Sequence, residues 1–177
     1  LNGQFWLHSD LPKENPIGIE IDKELARHVE YFKRSSIQKE LLARAIGIKS
    51  GVRPKVIDLS AGLLGDTLLF LSFGCEVIAV ERHPVVAFLI KSALANAQHP
   101  LVSKLTFLQE DAGKYLDSTL EADVLYYDPM FEDINEKAMP RKEMRIFRSL
   151  IGQDHDAKKV FKKALQMGAK RLLVKRP

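Results

Sequence analysis

From residue 55 onward, short apolar runs alternate with runs of helical length, and this alternation restricts the fold more than any other feature of the chain. "KVIDLS" (55–60) reads as a strand, a glycine-containing turn "AGLLGD" follows, and "TLLFLSFG" reads as a helix. The rhythm continues with strand "CEVIAVE", helix "HPVVAFLIKSALANAQ", strand "KLTFLQED", short helix "AGKYLDSTL" and strand "ADVLYYD". After a long connection, "AKKVFKKALQMG" and "AKRLLVKR" give a last helix and strand. Parallel neighbours need a crossover long enough to hold a helix, so strands alternating with helices indicate a parallel sheet. Strands as apolar as "VLYY" and "RLLV" suit positions covered on both faces. The expected fold is α/β, a Rossmann-like doubly wound, mostly parallel sheet with helices on both faces.

A length of 177 residues fits one domain. Residues 1–34 are expected to form an N-terminal extension of strands and loops, in which "QFWLHSD" and "IGIEID" alternate and Pro12 and Pro16 punctuate. Residues 35–177 make the main domain. In it "SIQKELLARAI" (36–46) reads as a helix, with Ser35 and Gln38 as a capping box and Gly47 as its stop. The chain starts without methionine and stops at Lys175-Arg176-Pro177 just after a strand-like run. We therefore expect a piece of a longer protein, with the last strands of such a sheet outside it.

Cys75 is the single cysteine, which excludes an intramolecular disulfide and a cysteine-based zinc site. His8, His28, His83, His99 and His155 show no ligand spacing, so no metal is expected; His83, before Pro84, reads as structural. The best candidate for a membrane span, "TLLFLSFGCEVIAV", is broken by Gly74 and Glu76. No secretory signal heads the chain, and a cytoplasmic location is expected. Charge is uneven: from Asp133 onward 13 lysines and arginines face 5 acids, whereas residues 1–132 hold 14 against 18. A basic block of this kind marks either a polyanion surface or solvated helix faces.

Ligands of open parallel sheets bind beyond the carboxyl ends of the strands. Asp58, Glu81, Asp111 and Asp128 fall there, one after each of four successive strands. One such acid is often a helix cap, but four crowded like charges cost energy unless something binds between them. The turn with Gly62 and Gly65 lets a ligand approach the backbone, and the next helix N-terminus favours an anion. It lacks the G-x-G start of a dinucleotide site. Glu81 stands where an acid grips ribose hydroxyls, and Asp111 is placed to accept from an exocyclic amine. These features describe a nucleoside pocket without a diphosphate cradle, which fits S-adenosylmethionine better than NAD.

"DPMF" (128–131) is similar to the D/N-P-P-Y/F motif of methyltransferases that modify exocyclic amines, with Met130 for the second proline. The lone pair of an aromatic amine is delocalised into its ring. A carboxylate and a backbone carbonyl that accept its hydrogens align that lone pair with the methyl sulfonium, which is catalysis by orientation and electrostatics. Asp128 is the expected acceptor, Pro129 holds the turn, and Phe131 stacks on the base, worth about 1–3 kcal/mol.

Over residues 31–177 the chain resembles the bacterial 16S ribosomal RNA guanine-N2-methyltransferases of the RsmJ type, which are class I enzymes. The resemblance rests on "KRSSIQKELLARAIGIK", "VIDLSAGLLGD", "GCEVIAVERHPVVAFLI", "YYDPMF", "RKEMRIFRSLIG" and "LLVKRP". It implies transfer of methyl from S-adenosylmethionine to the N2 amine of one guanosine in small-subunit ribosomal RNA. It also puts cofactor contacts on Gly65, Asp66, Glu81, Arg82, Asp111, Ala112 and Asp128, beside the Asp58 and Gly62 read from the first turn. Where the family usually has a glycine and then a basic residue, this chain has Leu64 and Gly65; its usual small hydroxyl pair is Asp111-Ala112 here, and Glu132 replaces a proline. Arg141, Lys142, Arg145 and Arg148 share part of a helix by spacing and are expected to contact RNA phosphates and the flipped guanine. Two alternatives remain open: an amine methyltransferase acting on DNA adenine or protein glutamine, and a nucleoside-binding module without catalysis.

Overall fold

In the computed structural model, which describes residues 5–8, 16–118, 122–130, 152 and 154–175, the alternating runs become five parallel strands. These are β1 (Val56–Asp58), β2 (Val77–Glu81), β3 (Leu105–Gln109), β4 (Val124–Tyr127) and β5 (Arg171–Val174). They lie side by side in the order β3-β2-β1-β4-β5. Val56 stands opposite Val77 on one side and Val124 on the other, so β1 is the central strand. The chain winds outward from β1 to β3 and then returns across β1 to lay down β4 and β5. The reversal opens a crevice between β1 and β4, the place where such sheets bind ligands.

Side chains alternate across the sheet with period two. Val56, Val77, Ala79, Val124 and Tyr126 share a buried cluster with α1 (Ile21–Arg34), α2 (Leu41–Ile46), α3 (Gly65–Ser72) and α4 (Pro84–Asn96). Ile57, Val80, Leu125 and Tyr127 pack instead with α5 (Ala112–Tyr115) and α6 (Ala157–Gln166). Helices therefore cover both faces, and the doubly wound arrangement expected from the sequence is the one observed. Among the described residues, no helix is long and apolar enough to cross a membrane.

Two expectations need correction. The stretch read as strands and loops up to residue 34 ends in α1, a helix of 14 residues, and among the described residues the two expected strands reduce to one antiparallel bridge between Leu7 and Ile17. Ile21 and Leu25, four apart, are buried, and the ring of Phe32 packs on Phe73 at 5.3 Å. Each fully buried side chain of this size contributes about 1.5–3 kcal/mol. The pairs Glu24–Arg27 and Glu30–Arg34 are exposed and screened by solvent, so burial decides that α1 forms. The Asp22 carboxylate also accepts from the N–H groups of Gln98 and His99, which fastens α1 to the end of α4.

The helix read over 36–46 is split. Ile37–Lys39 forms a 3-10 turn, Glu40 is extended, and α2 starts at Leu41 without a side-chain cap. The Ser35–Gln38 box does not form because Ser35 closes α1, its N–H donating to the Tyr31 carbonyl. Gly47 does stop the helix, at φ 87°, where a Cβ would also meet Arg171 Nε at 2.9 Å.

Candidate active site

The turn after β1 is tied to both neighbouring strands. Leu59 N–H donates to the Tyr126 carbonyl and Ala61 N–H to the Val80 carbonyl, so the loop spans the crevice mouth. Asp58, the last residue of β1, is 1% exposed; its carboxylate accepts from Ser60 N–H at 3.1 Å and from Thr67 Oγ at 2.6 Å. Burial pushes its pKa up to about 7, against the pull of those two donors. Asp58 thus braces the loop from beneath, and its two oxygens are already engaged within the chain.

The loop turns through two left-handed residues, Gly62 at φ 50° and Leu64 at φ 65°. Position 64 is where the resemblance expects glycine, and the conformation supplies the reason. A leucine in this region is strained by roughly 1–2 kcal/mol. Its side chain is fully buried, and that burial offsets the strain by about 2–3 kcal/mol. Above Gly65, the first residue of α3, a Cβ would meet nothing within 4 Å, so the backbone there is open to a ligand.

Glu81 closes β2 and is 8% exposed. One carboxylate oxygen accepts from Gly62 N–H at 3.0 Å and the other from His83 N–H at 2.7 Å. Burial raises its pKa and the two N–H groups oppose that rise. A carboxylate has about four acceptor positions, so two remain for hydroxyls of a ligand. His83 precedes Pro84 at the start of α4, and its Nδ1 is buried without a partner among the described residues.

Asp111 has the humbler role that one acid in this position often has: its Oδ1 caps α5 by accepting from Lys114 N–H, and Ala112 begins that helix. Its Oδ2 faces Arg82 at 3.4 Å. Arg82 is further paired with Asp154 and Asp156, so three carboxylates surround it.

Across the crevice, Asp128 leaves β4 with its N–H donating to Ser60 Oγ at 2.7 Å. The side chain is half-buried at 35% exposure. Burial lifts its pKa, Lys175 at 3.0 Å pulls it down, and nearby Asp66 adds to the rise. Lys175 also holds Asp66 at 3.0 Å, and Asp66 in turn accepts from the Tyr126 hydroxyl. Burial alone would lower the Lys175 pKa; the hydrogen bonds to Asp128 and Asp66 outweigh it and raise the pKa.

The four acids therefore do meet at one edge, but the crowding argument is answered inside the chain. Thr67, two backbone N–H groups, Arg82 and Lys175 each relieve one of them. Sequence reasoning gives no site role to Lys175, Thr67, Tyr126 or Asp154. Lys175 lies 109 residues from Asp66, and Asp154 lies 24 from Met130, distances at which no local spacing carries a signal. Phe131, Arg141, Lys142, Arg145 and Arg148 lie outside the described residues.

An open glycine backbone, a carboxylate with spare acceptor positions and an acid across the switch-point crevice together fit a nucleoside carrying a cationic tail. A family model described as "Putative SAM-dependent methyltransferase" matches residues 6–177. The "Ribosomal RNA small subunit methyltransferase J" of Buchnera aphidicola is 36% identical over 176 residues, covering 95% of this chain and 70% of that protein. Its namesake in Thioalkalivibrio sulfidiphilus is 40% identical over 152 residues, 81% of this chain and 60% of that one. That of Photobacterium profundum is 41% identical over 150 residues, with 78% and 59% covered. The chain thus spans between 59% and 70% of the length of these relatives. Among solved structures, a SAM-dependent methyltransferase of Neisseria gonorrhoeae has a TM-score of 0.65 at 24% identity, over 94% of this chain and 66% of that one, a likeness of fold.

Proposed function

The chain belongs to the SAM-dependent methyltransferase family, and from that premise we propose that it methylates the exocyclic N2 amine of one guanosine in 16S small-subunit ribosomal RNA. S-adenosylmethionine supplies an electrophilic methyl on a positively charged sulfur. The observation that carries the reading is Asp128, a half-buried carboxylate at the switch-point crevice, fastened to the first loop through Ser60. Glu81 takes the ribose hydroxyls, while Gly62, Gly65 and Asp66 line the methionine side with Asp58 bracing them from below. Asp128 accepts a hydrogen of the target amine and turns its lone pair toward the methyl. Bound S-adenosylmethionine would supply the methyl: its sulfonium would leave as a neutral thioether as the amine nitrogen gains the carbon, and the amine's surplus proton would pass to solvent water. Lys175 keeps Asp128 in the carboxylate form that this orientation needs. Pro129 fixes the turn, and Phe131 stacks on the guanine.

RNA as the acceptor is supported by the names of the relatives and by the basic balance from Asp133 onward. Arg141, Lys142, Arg145 and Arg148 are assigned to RNA phosphates on this reading. Arg82 and the Asp111-Ala112 pair form the adenosine-side rim.

The test is transfer of labelled methyl from S-adenosylmethionine to small ribosomal subunits from cells lacking this activity, followed by nucleoside analysis. N2-methylguanosine at one site is the expected product. Cofactor binding with label appearing only in DNA adenine or protein glutamine would transfer the substrate to the alternative amine acceptors.

A further inference from the structure

Asp154 is separated from Met130 by the long connection after the motif, yet the two residues are bonded in both directions. Asp154 Oδ2 accepts from Met130 N–H at 2.8 Å, and Asp154 N–H donates to the Met130 carbonyl at 3.3 Å. The other carboxylate oxygen, Oδ1, is paired with Arg82 Nη2. Nη1 of the same guanidinium holds both oxygens of Asp156, at 3.0 and 2.8 Å, and faces Asp111 at 3.4 Å. The Asp154 side chain is 17% exposed, the least of the four groups in this network.

We propose that Asp154 is a positioning residue for amine methylation: it fixes the main chain of the "DPM" turn and, through Arg82, ties that turn to the cofactor-side rim. The proposal rests on the reading of Asp128 and its turn as the amine site. The two bonds hold the N–H and the carbonyl of Met130, in the peptide units on either side of its Cα, and the first of those units follows Pro129 directly. The carbonyl of Pro129 is the second acceptor that an amine with two hydrogens needs, and it belongs to the same peptide as the Met130 N–H that Asp154 grips. Arg82 follows Glu81 in sequence, so one guanidinium links the residue assigned to ribose with the clamp on the acceptor turn. A misplacement of about 1 Å between reacting groups can cost roughly a hundredfold in rate, so this geometry acts on turnover more than on cofactor affinity.

The experiment compares Asp154→Ala and Asp154→Asn with the unaltered chain. It measures kcat and KM for methyl transfer to small ribosomal subunits, the Kd for S-adenosylmethionine, the thermal midpoint, and hydrogen exchange of the Met130 amide. Asp154→Ala is expected to lower kcat about tenfold or more while the cofactor Kd stays within about twofold, and to speed exchange at Met130. Asp154→Asn keeps an acceptor oxygen and should recover part of both losses. Unchanged exchange at Met130 overturns the clamp, and needs no knowledge of the acceptor substrate. So does a fall in kcat that is matched by equal losses in cofactor affinity and thermal midpoint, the mark of a merely structural role. Asp128→Ala run in parallel separates the two levels: turnover retained there sinks the amine-site reading itself, whereas normal turnover in Asp154→Ala alone sinks only the clamp.

Discussion

The two walls of the crevice are built by different means. On the β1–β2 side, Asp58 and Glu81 are buried within their own turn, and backbone N–H groups or a short hydroxyl within 19 residues satisfy them. On the β4–β5 side, Asp128 and the turn after it are held by long side chains from remote segments: Lys175 on Asp128, and Arg82 through Asp154 on Met130. The first wall is a rigid seat made largely by backbone donors, and the proposed reading gives it the cofactor, which is the same in every turnover. The second is assembled by partly exposed ion pairs between segments remote in sequence, each weaker singly than a buried bond. Binding and turnover should accordingly separate between the walls.

The sharpest break in that contrast is Asp128→Ala. Removing a preorganised electrostatic partner typically costs about 10²–10³ in kcat, and we expect at least that loss in methyl transfer, with cofactor affinity measured by calorimetry changed little. Retained turnover would remove the orienting role assigned to Asp128. On the other wall, Leu64→Gly relieves roughly 1–2 kcal/mol of strain but forfeits a buried leucine worth about 2–5 kcal/mol. A net loss of about 1–3 kcal/mol in denaturant unfolding is expected, and a stabilised variant would show that strain outweighs packing in this loop. Glu81→Ala should weaken cofactor binding about tenfold, the size of one charge-assisted hydrogen bond, while kcat at saturating cofactor stays close to normal. Equal loss in both would erase the division between the walls. The smallest effect concerns pH. Lys175 draws the Asp128 pKa downward, so Lys175→Met lets burial and Asp66 push it further up. The acid limb of the kcat profile then moves to higher pH, because the carboxylate form is lost sooner as pH falls; a limb that stays in place would detach Lys175 from Asp128 titration.

The β1–β2 wall was largely legible in the sequence, and the opposite wall was not. Asp58, Glu81, Asp111 and Asp128 are marked by periodicity, since each ends an apolar run and the parallel sheet brings run ends to one edge. Spacing did not show that Asp111 also caps α5, nor that Asp58 is held by Thr67 and Ser60. Lys175, Asp154 and Tyr126 make contacts that depend on which strands become neighbours, and the jump from β3 back across β1 is not encoded in any local spacing. In α1 the four-residue spacing of Ile21 and Leu25 was readable, but the alternation of "IGIEID" just before it competed for the same residues.

Strand order has a further consequence, for the order in which the molecule comes together. Val56 of β1 meets Val77 of β2 after a short excursion of chain, but meets Val124 of β4 only after the loop through β3 has been drawn in. Closing longer loops costs more entropy before any contact repays it, which slows the pairing. Nucleation therefore belongs to β1, α3 and β2, and β4 with β5 docks onto that finished surface. In pulse-labelled exchange during refolding, amides around Glu81 should gain protection before those at Asp128 and Lys175. A newly made chain on this route shapes the Glu81 turn before Asp128 and Lys175 of the opposite wall meet, so the proposed transfer waits on β4 and β5.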